Sequence, residues 1–156
     1  MPYRTVFEMT WGAYPWPLLV LSSAGLIVGL TLLLTRESQR SMTWTWLGRI
    51  ATAGSLAWTG WLLWTLADHY TTLQALTSNQ ITVTEGFVDN YSFFMHDGHG
   101  FESFTVEGVP FHYSDFLATG AYNRPASQGG VIRPGLRVRI AHRGNTIAKL
   151  EAADAP

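Results

Sequence analysis

Trp16-Pro17-Leu18-Leu19-Val20-Leu21-Ser22-Ser23-Ala24-Gly25-Leu26-Ile27-Val28-Gly29-Leu30-Thr31-Leu32-Leu33-Leu34 is the stretch that decides the fold of this chain. It carries no charge, and the uncharged run around it extends from Met9 to Thr35. Its 19 residues, at about 1.5 Å each, reach roughly 28 Å, enough to cross a hydrocarbon core of about 30 Å. Pro15 and Pro17 suit the start and first turn of such a helix. The stretch has no polar face to show to water, which argues against a buried helix of a soluble bundle. It is also too long for the apolar part of a signal peptide, and no small-residue cleavage site follows before Thr35-Arg36-Glu37.

Working outward, a second uncharged stretch runs from Ile50 to Ala67, bounded by Arg49 and Asp68. Trp11 and Trp16 flank one end of the first stretch. Trp44 and Trp46 precede the second, and Trp61, Trp64 and Tyr70 lie near its far end. These are positions where an amphipathic ring sits at headgroup depth. The sequence therefore predicts a transmembrane helical hairpin over residues 1–70, with helices at about 16–35 and 46–67. Gly25 and Gly29 form a G-x-x-x-G, and Gly48, Thr52, Ser55 and Thr59 fall on one face of the second helix. Small residues let backbones approach closely in lipid, so these are the expected helix-packing positions, either within the hairpin or against another subunit. Arg36, Arg40 and Arg49 mark the connection, whereas no Lys or Arg occurs between Ala67 and Arg124. The positive-inside rule then puts the connection in the cytoplasm and both ends of the chain outside it.

The composition changes sharply after Ala67. Residues 1–67 hold all seven tryptophans and only six charges; residues 68–156 hold all five histidines and the other fifteen charges. The chain has no cysteine, which excludes disulfides, a thiol nucleophile and Cys-based zinc or redox sites. The second half has six Lys or Arg against nine Asp or Glu, a net charge of −3 that disfavours bulk binding of nucleic acid.

In that half the hydrophobic period shortens to two. After a polar linker at 71–80, Ile81–Val88 alternates, with Gly86 read as a bulge. Phe101–Val106 and Val109–Tyr113 flank Glu107-Gly108, a hairpin turn signal, and Ser114-Asp115 is read as the cap of a short helical turn. After the Gly- and Pro-rich loop Thr119–Pro134, Gly135–Ala141 alternates, Arg143-Gly144-Asn145 turns, and Thr146–Ala152 returns. Three strands, an irregular link and two strands are the order of an OB-type barrel. The expected fold is thus an α+β membrane protein: a two-helix transmembrane hairpin followed by a five-stranded OB-like β-barrel over 81–153, with an SH3-like barrel or an open meander as the alternatives.

Gly98-His99, Glu102-Ser103-Phe104, Gly108-Val109, Tyr113-Ser114-Asp115-Phe116, Gly129-Gly130, Val138-Arg139-Ile140 and Gly144-Asn145 carry a resemblance. In these residues the stretch from Glu85-Gly86 to Leu150-Glu151 resembles a family of uncharacterised bacterial membrane proteins, with helices before a β module. The resemblance implies architecture alone, one or more helices before a β module, and carries no activity with it. The spans and charge separately lead to the expectation of a multi-pass protein of the bacterial inner membrane.

Chemistry-bearing side chains are few. His96, His99 and Glu102 lie close enough in sequence to raise a divalent-metal site, and a metal-dependent sensor or enzyme is one alternative. His112, Ser114 and Asp115 offer the residue types of a nucleophilic triad without its strand-to-helix elbow. Arg137, Arg139 and Arg143 on one strand face raise single-stranded nucleic acid, a second alternative should the domain be cytoplasmic. The favoured reading is a non-catalytic binding module or accessory subunit, with no cofactor expected. Its partners would be the bilayer, another membrane subunit or a second copy, and its domain would lie outside the cytoplasm. The expected contact residues are Phe93, Phe94, Met95, Tyr122 and Arg124, placed in the two glycine-rich loops.

Overall fold

The computed structural model describes residues 2–35, 42–96, 99–117 and 119–153, with residue 96 described by its backbone alone. The chain divides into two compact units, Pro15–Asp68 and a second made of Met1–Tyr14 with His69–Pro156.

The first unit is helical. Helix α1 spans Trp16–Leu34, and helix α2 spans Met42–Thr77, its last turns belonging to the second unit. The two helices meet through small residues. A Cβ on Gly25 would stand 2.9 Å from Ser55 Oγ, and one on Gly29 would stand 2.9 Å from the Thr52 nitrogen. Gly48 faces Leu33 of α1 at a similar 3.0 Å. Gly25, Gly29, Gly48, Thr52 and Ser55 are therefore where the two backbones come closest. Among the described residues, α1 is the one helix long and apolar enough to cross a membrane, and only 11% of it is buried. The stretch expected to cross at 46–67 does not reach that apolarity, because Thr52, Ser55, Thr59 and Thr65 interrupt it.

The second unit is a six-stranded antiparallel sheet in the order β1-β6-β5-β2-β3-β4. The strands are β1 (Tyr3–Glu8), β2 (Thr82–His96), β3 (His99–Val106), β4 (Val109–Ser114), β5 (Arg137–Arg143) and β6 (Thr146–Ala153). Strand β2 is shared: Thr82–Phe87 pair with β5, and Val88–His96 pair with β3. Between them the register slips at Asp89–Ser92, where Asn90 takes a left-handed φ of 49°. The bulge is thus at Asn90, not at Gly86, which pairs regularly with Val138. Gly86 is required for another reason, since a Cβ there would lie 2.7 Å from Glu107 Cγ. Glu107 (φ 48°) and Gly108 (φ 77°) form the two-residue turn between β3 and β4 with positive φ at both positions.

Three expectations are corrected. The sheet has six strands, because Tyr3–Glu8 adds an edge strand on β6, with Tyr3 opposite Ala153 and Glu8 opposite Lys149. It is not a closed barrel: β1 and β4 are its two edges and do not pair. Residues 71–77 are not linker but the last turns of α2, which ends where Asn79 turns to φ 57°. The strand count has a local cause. A strand of six residues standing before an apolar helix gives too short an alternation to be separated from a tail.

Both halves of the sheet feed one core. Phe104, Val106, Phe111 and Tyr113 from β3 and β4 meet Val138, Ile140, Ile147 and Leu150 from β5 and β6. The rings of Phe104 and Phe111 stack at 5.5 Å, and Tyr113 meets Tyr122 edge-on at 5.2 Å. A smaller cluster joins Met9, Leu73 of the final turns of α2, and Ala148.

Candidate recognition surface

Alternation along β3 sorts its side chains between two faces. Gly100, Glu102, Phe104 and Val106 are buried, whereas His99 and Phe101 are exposed. That parity decides the histidine loop. His99 and Glu102 are three residues apart on a strand, so they point to opposite faces. His99 Nδ1 lies 3.4 Å from Asp115 Oδ1, and its ring packs edge-on against Phe116 at 5.3 Å. Glu102 is fully buried on the other side. The structure therefore does not bring His99 and Glu102 together, and the side chain of His96 lies outside the described residues. Among the described residues no group of three or more His, Asp or Glu side chains converges.

Glu102 does something else. Its Oε1 accepts hydrogen bonds from Tyr91 Oη at 3.0 Å and from the Ala126 amide at 2.5 Å, and its Oε2 accepts from Tyr113 Oη. A buried carboxylate is tolerated when donors converge on it in this way. Burial, and then the hydrogen bond to Glu102, push the Tyr91 hydroxyl up to about 12 and raise Tyr113 further. Through Ala126 the carboxylate ties the 119–134 loop to the core. The loop closes on itself where Pro125 O accepts from the Gly130 amide at 3.0 Å. Gly130 faces the Arg124 carbonyl so closely that no side chain fits there. Pro125 in turn covers Gly100, whose Cβ would stand 2.9 Å from Pro125 Cβ.

This arrangement divides the expected contact residues. Tyr122 is only 2% exposed, its ring packed on Tyr113 and Phe7 and its hydroxyl accepting from the Val131 amide at 3.3 Å. Burial raises its hydroxyl above the ordinary tyrosine range. It is a core residue, correcting its placement at a surface. Arg124 is exposed. Phe93, Phe94 and Met95 are exposed as well, but on strand β2 rather than in a loop, Phe94 standing opposite Phe101 and Met95 opposite Gly100. His96 pairs with His99 across the β2–β3 hairpin, so the aromatic run before it is strand.

Sequence reasoning missed three further members of this surface. Phe101 is exposed and stacks on His112 at 6.2 Å, and Phe116 and Leu117 are exposed in the turn after β4. The signal for Phe101 was present: counting back by two from Val106 and Phe104 puts Glu102 inside and Phe101 outside. The turn is not helical. Ser114 Oγ accepts from the Phe116 amide at 3.2 Å, and Asp115 accepts from the Gly100 amide at 3.1 Å and from Gln128 Nε2 at 2.5 Å. Ser114 and Asp115 are thus engaged in holding the turn, while the His112 backbone amide donates to Asn145 Oδ1 at 2.7 Å.

The arginine strand is also engaged. Glu85 binds Arg137 at 3.0 Å and Arg139 at 2.8 Å, and Arg139 reaches Glu151 at 3.8 Å. Tyr3 of the added strand lies under Arg139 at 4.7 Å from its ring and donates to Glu85 at 2.6 Å. Two of the three arginines expected to track a phosphate backbone are therefore committed to carboxylates. Compared with known proteins, the chain matches no family model, no curated protein and no solved structure.

Proposed function

We propose that this chain is a membrane-anchored, non-catalytic binding module or accessory subunit, held by a two-helix hairpin and presenting its sheet unit on one side of the bilayer. One observation carries this reading. Strand β1 precedes α1 in the chain and β2 follows α2, yet both belong to one hydrogen-bonded sheet. A sheet cannot be divided by a bilayer, because its backbone groups would be left unpaired in hydrocarbon. If α1 crosses, the chain must cross again before β2, and α2 is the helix available. Its uncharged stretch Ile50–Ala67 is about 27 Å long at 1.5 Å per residue. The hydroxyls that lower its apolarity are satisfied within the helix: Thr52 donates to Gly48 O at 2.8 Å and Thr59 to Ser55 O at 2.7 Å. That bonding reduces their cost in lipid.

Positive charge orients the pair. Arg36, Arg40 and Arg49 put the connection in the cytoplasm and the sheet unit outside it. The binding surface is the exposed aromatic face of β2, β3 and the turn after β4. The test is a pair of topology reporters in the full chain. A reporter active only outside the cytoplasm should be active when fused after Pro156, and one active only inside should be active near Ser38. Both signals from the same compartment would overturn the hairpin, and exchanged signals would overturn the orientation.

A further inference from the structure

Among the described residues of the sheet unit, one group of exposed apolar side chains lies on the β2–β3 hairpin and the turn after β4, apart from Val83 and Phe87 on the half of β2 that pairs with β5. Phe94 on β2, Phe101 on β3, and Phe116 and Leu117 in the turn after β4 form it, Phe116 being 74% exposed. Phe93, opposite Glu102, and Met95, opposite Gly100, lie on the other face of the strand pair. Phe94 stands directly opposite Phe101, and Phe116 packs on His99, which shares the exposed face of β3 with Phe101. None of the group is charged, and the Asp115 carboxylate beside it is withdrawn, its side chain being 5% exposed.

Where this region lies on the sheet unit matters. Leu117 precedes Gly120 by three residues, and its carbonyl accepts from Asn123 Nδ2 at 2.8 Å. Gly120 packs directly on the ring of His69, and a Cβ there would stand 3.4 Å from the Ala13 carbonyl carbon. The His69 ring lies 5.4 Å from that of Tyr14. Tyr14 and His69 are the residues at which the sheet unit gives way to the helices in either direction. Leu117 is therefore within roughly 11 Å of Gly120 by chain length alone, and Gly120 touches the point at which the helices begin. Trp11 and Tyr70 are half exposed at the same point, with ring centroids 5.8 Å apart. Tryptophan and tyrosine at this place, with phenylalanine and leucine in the Phe116-Leu117 turn, are the composition of a surface seated at the boundary of headgroups and acyl chains.

We propose that the Phe94–Phe101 face and the Phe116-Leu117 turn dip into the interfacial layer of the bilayer that α1 enters, so that the sheet unit has a third attachment besides its two helices. The occupant of this face is lipid. The proposal rests on the hairpin reading above, since it needs a membrane at residues 14 and 69. Exposed phenylalanines gain by leaving water for the acyl boundary, and a face tethered to an anchored chain meets that boundary at high effective concentration.

The absence of cysteine permits a direct test. Single Phe116→Cys, Leu117→Cys, Asp89→Cys and Val28→Cys variants of the full chain are labelled with a nitroxide and reconstituted in phosphatidylcholine–phosphatidylglycerol vesicles. Collision with oxygen is compared with collision with a water-soluble nickel chelate. The probes at 116 and 117 should favour oxygen severalfold over the probe at 89, which lies on exposed β2 about 17 Å from Phe94 along the strand. Their preference should persist when the protein is diluted into excess lipid. Water-like values at 116 and 117 with a lipid-like value at 28 overturn the docking and leave the anchor standing. Water-like values at 28 as well overturn both. Shielding at 116 that disappears on dilution into lipid assigns the face to a second copy of the chain and overturns the lipid proposal.

Discussion

In α1 the side chains of Val20, Leu21 and Val28 remain 71, 69 and 57% exposed, whereas in the sheet unit Phe104, Val138 and Ile140 are shut away from solvent almost completely. Both regions are rich in apolar residues, and they use them oppositely. The sheet unit sends large side chains inward and lets charge face out. The helical pair turns its small residues inward and its large ones out. Inside-out packing of that kind is stable only where the surroundings are as apolar as the side chains, because in lipid there is no hydrophobic gain from burying leucine against leucine. The two regions thus differ in which side chains they bury as well as in composition, and the exposure along α1 is what the proposed anchor requires.

The comparison can be broken most strongly in the sheet core. Phe104→Ala should cost about 3–5 kcal/mol by lost transfer and cavity energy, measured by denaturant unfolding of the full chain in detergent. Val28→Ala, the same kind of truncation in α1, should cost well under 1 kcal/mol if its side chain faces lipid. Equal costs would mean that Val28 is buried against protein, and the contrast would fail.

A smaller effect sharpens the other side. Gly29 leaves no space for a Cβ against the Thr52 backbone, so Gly29→Leu should weaken the helix pair by roughly 1–2 kcal/mol. Energy transfer between labels on the two helices in detergent would report it. Unchanged transfer on titration with denaturing detergent would remove this contact from the account.

The smallest expected effect lies on the exposed face of the sheet. The hydrogen bond from Tyr3, then that from Arg139, hold the Glu85 carboxyl below its ordinary value of 4.5. A carboxyl lowered by folding contributes stability above its unfolded-state value and loses it as pH falls through the folded one. Glu85→Gln should therefore lie slightly below the parent in stability at neutral pH, and the gap should close below about pH 4.5. A gap that widened on acidification would show that Glu85 is not the group being titrated.

How far the fold was legible can be argued from three places. Trp16–Leu34 was readable because length and absence of charge are local properties, and a bilayer acts on them directly. Glu107-Gly108 was readable because a two-residue turn with positive φ at both positions accepts few residues. Tyr3–Glu8 was not readable, because its pairing with β6 spans almost the whole chain, and no short window records a partner about 150 residues away. The surface was half legible. Phe93, Phe94 and Met95 announced themselves as aromatic and exposed. Tyr122 looked the same in sequence and proved to be core, since its loop is folded in by Glu102, Pro125 and Gly130.

By itself, then, the sequence determined one long uncharged apolar region and one charged region, the helical and extended periods within them, the small-residue stripe and the hairpin turns. Each depends on residues within a few positions of one another. The tertiary structure alone decided that the first strand joins the last and that the sheet stays open. It also decided that Glu102 and His99 face apart and that Phe101, Phe116 and Leu117 complete the aromatic face. Each of these is set by backbone pairing or packing between residues distant in sequence, whose free energy exists only once both partners are in place.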